Sequence, residues 1–275
     1  MRFSALAAPV GSVLFPARRK RRMLVAYGRV PGRMRCARPK AKRRKATRRK
    51  GRTMDDDKRS CAQCGVLHCR HLDSAWPSFC MTTRTPQEDF DYALGQYRDD
   101  PEASRMFRAA AEIEGLYYGR LTRVEEVVLF AQKIGARKVG IATCVGLIRE
   151  SQTFAKVLRA KGLEDVCAVA CKVGGIDKEQ AGIPDDVKVR PGQHESMCNP
   201  IVQARILNRE GTDLNVIVGL CVGHDTLFIK HSEAPVTCLI VKDRVLAHNP
   251  AAALYASGSY YKRLLSPETV PPRSR

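Results

Sequence analysis

The chain has 275 residues, with 48 Lys and Arg against 28 Asp and Glu, so a formal charge of +20 dominates its composition. That excess is concentrated: residues 1–59 hold 21 basic and 3 acidic side chains, and residues 60–275 carry a net charge of only +2. The high isoelectric point therefore excludes nothing and promises nothing about the folded part, and any nucleic-acid contact has to come from the first 59 residues.

Those residues include "ARRKRR" (17–22) and "PKAKRRKATRRKGR" (39–52), blocks of like charge with too few apolar side chains to offset the entropy of ordering. They are expected to form a disordered basic tail. A polybasic arm on phosphates is one reading. The favoured ones are a dispensable extension or a chain that begins at Met54, because no aromatic or Gly-rich interleaving accompanies the charge. The opening "MRFSALAAPVGSVLF" makes a poor signal peptide, since its charged block follows the apolar run and Pro9 interrupts it. With no run of about 18 apolar residues, no membrane span is expected. Eleven cysteines without an export address then point to a reducing cytoplasm and to metal or thiol roles.

The next segment, residues 60–84, is expected to be a Cys-rich metal-binding module. In "CAQCGVLHC" and on to Cys80, two thiolates separated by two residues can chelate one ion from a single turn, and Cys69 with Cys80 completes a tetrahedral set with Cys61 and Cys64. The ion is zinc or, on the same four sulfurs, an iron–sulfur cluster. His68 or His71 can stand in for a cysteine, and the competing reading is a loop of unligated thiols.

Residues 85–135 read as three helices packed on the core. "TPQEDFDYALGQYRD" opens with Thr85 as N-cap and Pro86 at the first helical position, "DPEAS" repeats the device with Asp100 and Pro101, and "TRVEE" carries a capping box from Thr122 to Glu125. From 136 to 268, short β-branched runs apolar on both faces alternate with amphipathic helices, which reads as a Rossmann-like α/β domain with a mostly parallel sheet. Residues 269–275 are expected to be a disordered end.

In such a sheet Cys144, Cys171 and Cys221 follow strands directly, so all three lie at the carboxyl edge where doubly wound folds bind ligands. Cys198, ahead of the helix that Pro200 starts, can face the same edge. Each is a candidate for a second metal or redox site. A thiolate at a helix N-terminus has a lowered pKa, which makes Cys144 and Cys221 candidate nucleophiles with His224 as assistant and Asp225 as ligand, base or cap. The bland reading is that small cysteines fit crowded strand ends, as Cys167 and Cys238 do inside apolar runs. His194 and His231 read as surface residues, and His248 as preceding a helix capped by Asn249 and begun by Pro250. Gly174 and Gly175 form no nucleotide motif. The long loop from 172 to about 197 is expected to cover the strand edge, with Asp177, Glu179, Asp185 and Asp186 solvated.

Taken together, "CAQCGV", "TRVEE", "CVGL", "CKVGG", "MCNP", "GLCVGHD", "KDRVLAHNPAAALY" and "YYKRLL" resemble a family of bacterial and archaeal proteins labelled a domain of unknown function and described as predicted metal-binding. The resemblance covers roughly residues 60–265. It implies metal binding, carried by Cys61, Cys64, Cys69 and Cys80, and no named activity; "FCMTT" departs from the family's usual Cys-Pro after Cys80. The expectation is thus a soluble metal-binding protein with a second thiol-rich site at the strand edge and a metal ion as its partner. The alternative is a thiol-dependent enzyme using Cys144 or Cys221.

Overall fold

In a computed structural model of the chain, the structure describes residues 59–267 and 270–272, so both expected tails lie wholly or largely outside the described residues. The chain enters through two short helices, α1 (His68–His71) and α2 (Met81–Arg84), followed by α3 (Gln87–Asp99), α4 (Pro101–Tyr117) and α5 (Arg123–Ile134). The caps of the last two are as expected. Asp100 accepts from the backbone N–H of Glu102 and Ala103 at 3.1 and 2.7 Å, and Thr122 and Glu125 close a reciprocal capping box. Gly135, at φ +76°, ends α5 in the left-handed conformation that glycine adopts without strain.

The start of α3 differs from expectation. Thr85 closes α2 instead, its hydroxyl donating to the Met81 carbonyl at 2.8 Å, and Pro86 takes the N-cap position. The Thr85 hydroxyl is turned back onto α2, and the start of α3 has no side-chain cap hydrogen bond.

Strands β1 (Lys138–Thr143), β2 (Asp165–Ala170), β3 (Leu214–Val218) and β4 (Val236–Ile240) form an all-parallel sheet in the order β2-β1-β3-β4. The crossovers carry α6 (Ile148–Ala160), α7 (Pro200–Arg209) and α8 (His224–His231), and the short α9 (Ala251–Tyr255) follows the sheet. Pro250 is the N-cap of α9, with helical residues beginning at Ala251, one position later than the sequence suggests.

Both faces of the sheet are covered, and the alternation of side chains along each strand decides which residue serves which face. Val139 and Ile141 of β1 join Leu214, Val216 and Val218 of β3 in one core, closed by Val127, Val128 and Ala131 of α5 and Phe154 and Leu158 of α6. Ala142, Val169 and Ile217 point the other way, onto Ala204 and Leu207 of α7 and Phe228 of α8. This second core contains Cys144 and Cys171, so both thiols belong to the α7–α8 side. On the exposed edge, Arg123 of α5 reaches β4, donating to the Thr237 hydroxyl at 2.9 Å and the Cys238 carbonyl at 3.3 Å, which occupies part of an edge that would otherwise offer free acceptors.

The turns after β1 and β3 lock together. Thr143 and Ser151 are buried, Ser151 Oγ donates to Thr143 Oγ1 at 2.6 Å, and that hydroxyl donates to the Cys144 carbonyl at 3.1 Å. Gly219 sits against Leu147 with φ +68°, and a Cβ there would lie 1.8 Å from Leu147 Cδ1. Gly219→Ala combines left-handed strain with overpacking, and should destabilise the fold by about 2–4 kcal/mol in chemical denaturation.

Candidate functional site

The carboxyl edge of the sheet opens into a cavity of about 660 Å³, and Cys144, Cys171, Cys198 and Cys221 all line it. Every strand contributes. Cys144 follows β1, Cys171 follows β2, Cys221 follows β3 by three residues, and Lys242 and Arg244 follow β4. Cys198 comes in from the approach to α7, held by the Asn199 N–H donating to the Cys171 carbonyl at 2.7 Å.

Backbone register sets the closest sulfur pair. Thr143 and Ala170 are paired neighbours on β1 and β2, and the ladder continues one step further, with Cys171 N–H donating to the Thr143 carbonyl at 2.8 Å. Cys144 and Cys171 are therefore adjacent residues at the ends of adjacent strands, which run about 4.8 Å apart, and their side chains share one face of the sheet. Each of the two sulfurs is the largest influence on how the other holds its proton. On the far side of Cys171, the Cys198 sulfur is 3.8 Å away.

Three sulfurs in a chain share protons, so they titrate as a group. Hydrogen bonding to Cys171 is the largest influence on Cys144. Burial opposes it, the Gly146 N–H and the Lys242 ammonium add to it, and Cys144 falls to about 5. Cys198 also falls to about 5, again chiefly through Cys171, with burial opposing and Lys172 and His224 assisting. Cys171, flanked by both, is pushed up: its neighbours and its burial outweigh the Val145 N–H that donates to its sulfur at 3.4 Å. The central thiol keeps its proton while the outer two give theirs up. Cys221 stands apart from this chain, with its sulfur 2.9 Å from Arg244 Nη2.

His224 is the first residue of α8 and lines the cavity. Asp225 bonds only its own helix start, accepting from the Thr226 N–H at 2.7 Å. Cys167 and Cys238 are half-buried, with burial raising both thiols, in keeping with packing roles. His248 is an orienting residue: its Nδ1 accepts from the Asp243 N–H at 3.1 Å, while the Asp243 carboxylate accepts from Val245 and Leu246, each at 2.8 Å. That turn, with Ala247 and His248 both at positive φ, positions Lys242 and Arg244.

The sequence reading missed those two cations. Although "KDR" directly follows the last strand, nothing local separates its Lys and Arg from solvated charges.

The segment between β2 and α7 covers the cavity, contributing Lys178, Ile183, Val189 and Met197 to its lining. Of its acids, Glu179 is exposed as expected, while Asp177 is largely withdrawn from solvent. Lys188, whose side chain is 3% exposed, places its ammonium 2.7 Å from Glu179, 3.1 Å from Asp177 and 3.1 Å from Asp185. Asp177 also accepts from the N–H groups of Glu179 and Glu195 and pairs with His194 at 2.9 Å. Asp186 is exposed. The flap is thus folded around an ionic centre and pinned across its base by Met197 N–H on the Ile176 carbonyl at 2.7 Å.

At the other end of the chain, Cys61 begins a 3-10 turn (Cys61–Gln63) and Cys64 closes it, its N–H on the Cys61 carbonyl at 3.1 Å. Cys69 lies within α1, which the chain enters and leaves through Leu67 and Leu72 in the left-handed region. Cys80 is the N-cap of α2; burial raises its thiol, but the Thr82 hydroxyl and the Thr82 and Thr83 N–H groups lower it further. His68 accepts from the Ser74 N–H through Nδ1 at 2.9 Å. His71 is exposed. Among the described residues, no group of three or more His, Cys, Asp and Glu side chains is placed to hold one ion, at this module or at the strand edge. Cys61 and Cys64 share one turn, while Cys69 and Cys80 sit on two further short elements.

A family profile described as "Protein of unknown function (DUF1847)" matches residues 80–239, a stretch that includes all four rim cysteines. The chain is also 43% identical over 205 residues to the "Uncharacterized protein MJ0455" of Methanocaldococcus jannaschii, an alignment covering 74% of this chain and 97% of that protein. No solved structure matches the chain. The chain belongs to this family of unknown function, as its motifs suggest.

The flap's ionic centre has a defined acid limit. Asp177 is lowered from 3.8 to about 2, first by the Glu179 and Glu195 N–H groups and then by Lys188, so its contribution is complete above about pH 4 and is lost as pH falls through about 2. Hydrogen exchange across residues 176–197, referred to the intrinsic rate at each pH, should show protection lost over that window. In Lys188→Met the same protection should be lost at neutral pH.

Proposed function

We propose that the chain is a thiol–disulfide exchange protein that reduces a disulfide substrate, with Cys144 as nucleophile, Cys171 as resolving thiol and Cys198 as the base that receives the Cys171 proton. The observation that carries this reading is the row of Cys144, Cys171 and Cys198 across the ends of β1 and β2, lining one cavity; the outer two thiols are lowered and the central one is raised, which supports it.

The chemistry follows from the order of the sulfurs. The Cys144 thiolate attacks one sulfur of the substrate disulfide, forms a mixed disulfide and expels the first substrate thiolate. Lys242, beside Cys144, stabilises the thiolate before attack, and the Gly146 N–H does the same. With Cys144 tied up in the mixed disulfide, the thiolate that most strongly holds the Cys171 proton is gone; Cys171 then passes its proton to the Cys198 thiolate, 3.8 Å away, and attacks the Cys144 sulfur. A Cys144–Cys171 disulfide forms and the second substrate thiolate leaves. Two electrons have moved from two protein thiols to the substrate, Cys198 holds the proton, and an external thiol must reduce the protein disulfide for another cycle. Strand spacing suits the product, since disulfides join Cα atoms about 4.4–6.8 Å apart. The burial of Cys171, 2% exposed, keeps it from attacking substrate first.

Two measurements test this. Iodoacetamide labelling of the reduced protein should rise through about pH 5 at Cys144 and Cys198, well below the usual thiol range, and Lys242→Ala should move the Cys144 profile upward. After reaction with bis(2-hydroxyethyl) disulfide, mass mapping should find the Cys144–Cys171 bond. Cys171→Ser should instead trap substrate on Cys144, and Cys198→Ser should slow resolution by about 10–100-fold, the range of a lost general base. A first adduct on Cys221, or no internal disulfide, overturns the assignment.

A further inference from the structure

We propose that the disulfide reduced at this rim is a small anion, bearing carboxylate or phosphate groups that bind the cations gathered after β2 and β4. The inference rests on the thiol reading above and adds the chemical class of its substrate.

The charges of the cavity are unbalanced in one direction. Of its four Lys and Arg side chains, Lys178 is neutralised by Glu195 at 2.5 Å. Lys172, Lys242 and Arg244 have no carboxylate within ion-pair distance among the described residues. The acids that come near are already committed: Asp243 to the Val245 and Leu246 N–H groups, and Glu195 to Lys178 and to the Val189 N–H at 2.7 Å. Lys172 donates to the Ser196 carbonyl, a neutral partner.

What stands beside each of these cations is a sulfur. Lys242 faces Cys144, Lys172 faces Cys198, and Arg244 faces Cys221. The Cys144 and Cys198 thiolates disappear in the reaction, one into a disulfide and one by protonation, so Lys242 and Lys172 lose their counter-charges just as two substrate thiolates are generated. A substrate with its own negative groups supplies the missing charge throughout the cycle. Arg244 is the best placed to hold such a group, because Cys221 takes no part in the sulfur row and a guanidinium has five donors, of which the sulfur occupies one. The flap limits the size. It roofs the cavity with Ile183, Val189 and Met197, leaving about 660 Å³, room for a small molecule and not for a folded protein's disulfide loop.

A charge series of aliphatic disulfides tests the proposal on the full-length reduced protein: 3,3′-dithiodipropionate as dianion, bis(2-hydroxyethyl) disulfide as neutral compound and cystamine as dication. Each rate constant is divided by that compound's rate with free 2-mercaptoethanol, which removes intrinsic reactivity. The dianion should exceed the dication by about 10–100-fold, the range that one or two charge-assisted hydrogen bonds supply, and the advantage should shrink as salt rises. Arg244→Gln should cut the ratio of dianion to neutral rate by about tenfold, while the conservative Arg244→Lys keeps part of it. Equal normalised rates, or preference for the dication, overturn the anionic class and leave the thiol reading standing. Failure of all three compounds to oxidise Cys144 and Cys171 overturns both.

Discussion

The parallel pairing of β1 with β2 is the constraint on which the site depends. A ladder fixed at Thr143 and Ala170 delivers the next residue of each strand to adjacent positions on one face, and those residues are Cys144 and Cys171. No long loop has to find the other to bring these sulfurs together, so the entropy of assembling them is met by the sheet as it folds. The remaining groups arrive by the same rule, because β3 and β4 end at the same edge and release Cys221, Lys242 and Arg244 into it. A single register slip in the β1–β2 pair would turn one thiol to the other core and separate the row.

Placing thiols there sets burial against charge. Burial alone favours the neutral thiol, as at Cys167 and Cys238 inside the strands, where it raises both. One residue beyond the last regular pair, the balance reverses for Cys144 because a neighbouring thiol, a turn N–H and an ammonium act together. The same residue type is thus inert in the strand and ionised at its end. Only the outer sulfurs have a nearby cation, Lys242 for Cys144 and Lys172 for Cys198, so the centre of the row is where the proton remains.

Much of this was legible in the sequence because it depends on local patterns. Runs apolar on both faces, such as "VGIAT" and "LNVIV", require a sheet covered on each side, and a cysteine directly after such a run has to lie at its end. Asp100 and Thr122 were readable as caps for the same reason. The rest depended on contacts between distant residues. Lys172, Lys242 and Arg244 have no local signature that separates them from solvated charges, and Lys188 with its three carboxylates looked like an ordinary polar loop. Thr85 shows a local rule failing between two valid uses, since its hydroxyl serves the helix before it and not the one after. The "CAQC" turn is present, yet close sequence spacing did not by itself bring Cys69 and Cys80 into one ligand set with it, because each ends up on an element of its own.

The flap's construction fits the site it covers. A cover built on apolar packing would be continuous with the second core and held shut by it, whereas this one encloses Lys188 among Asp177, Glu179 and Asp185 and meets the cavity through Ile183, Val189 and Met197. Its cohesion is internal and polar, and it borders the cavity with both apolar and charged side chains. Such a body can keep its own shape while its contact with the rim is exchanged for contact with a bound molecule, because the charged centre need not be broken or rehydrated for that to happen. The strong interactions therefore preserve the shape of the cover and the weak ones determine its seating, an arrangement that leaves the sulfur row shielded from bulk solvent without walling it in.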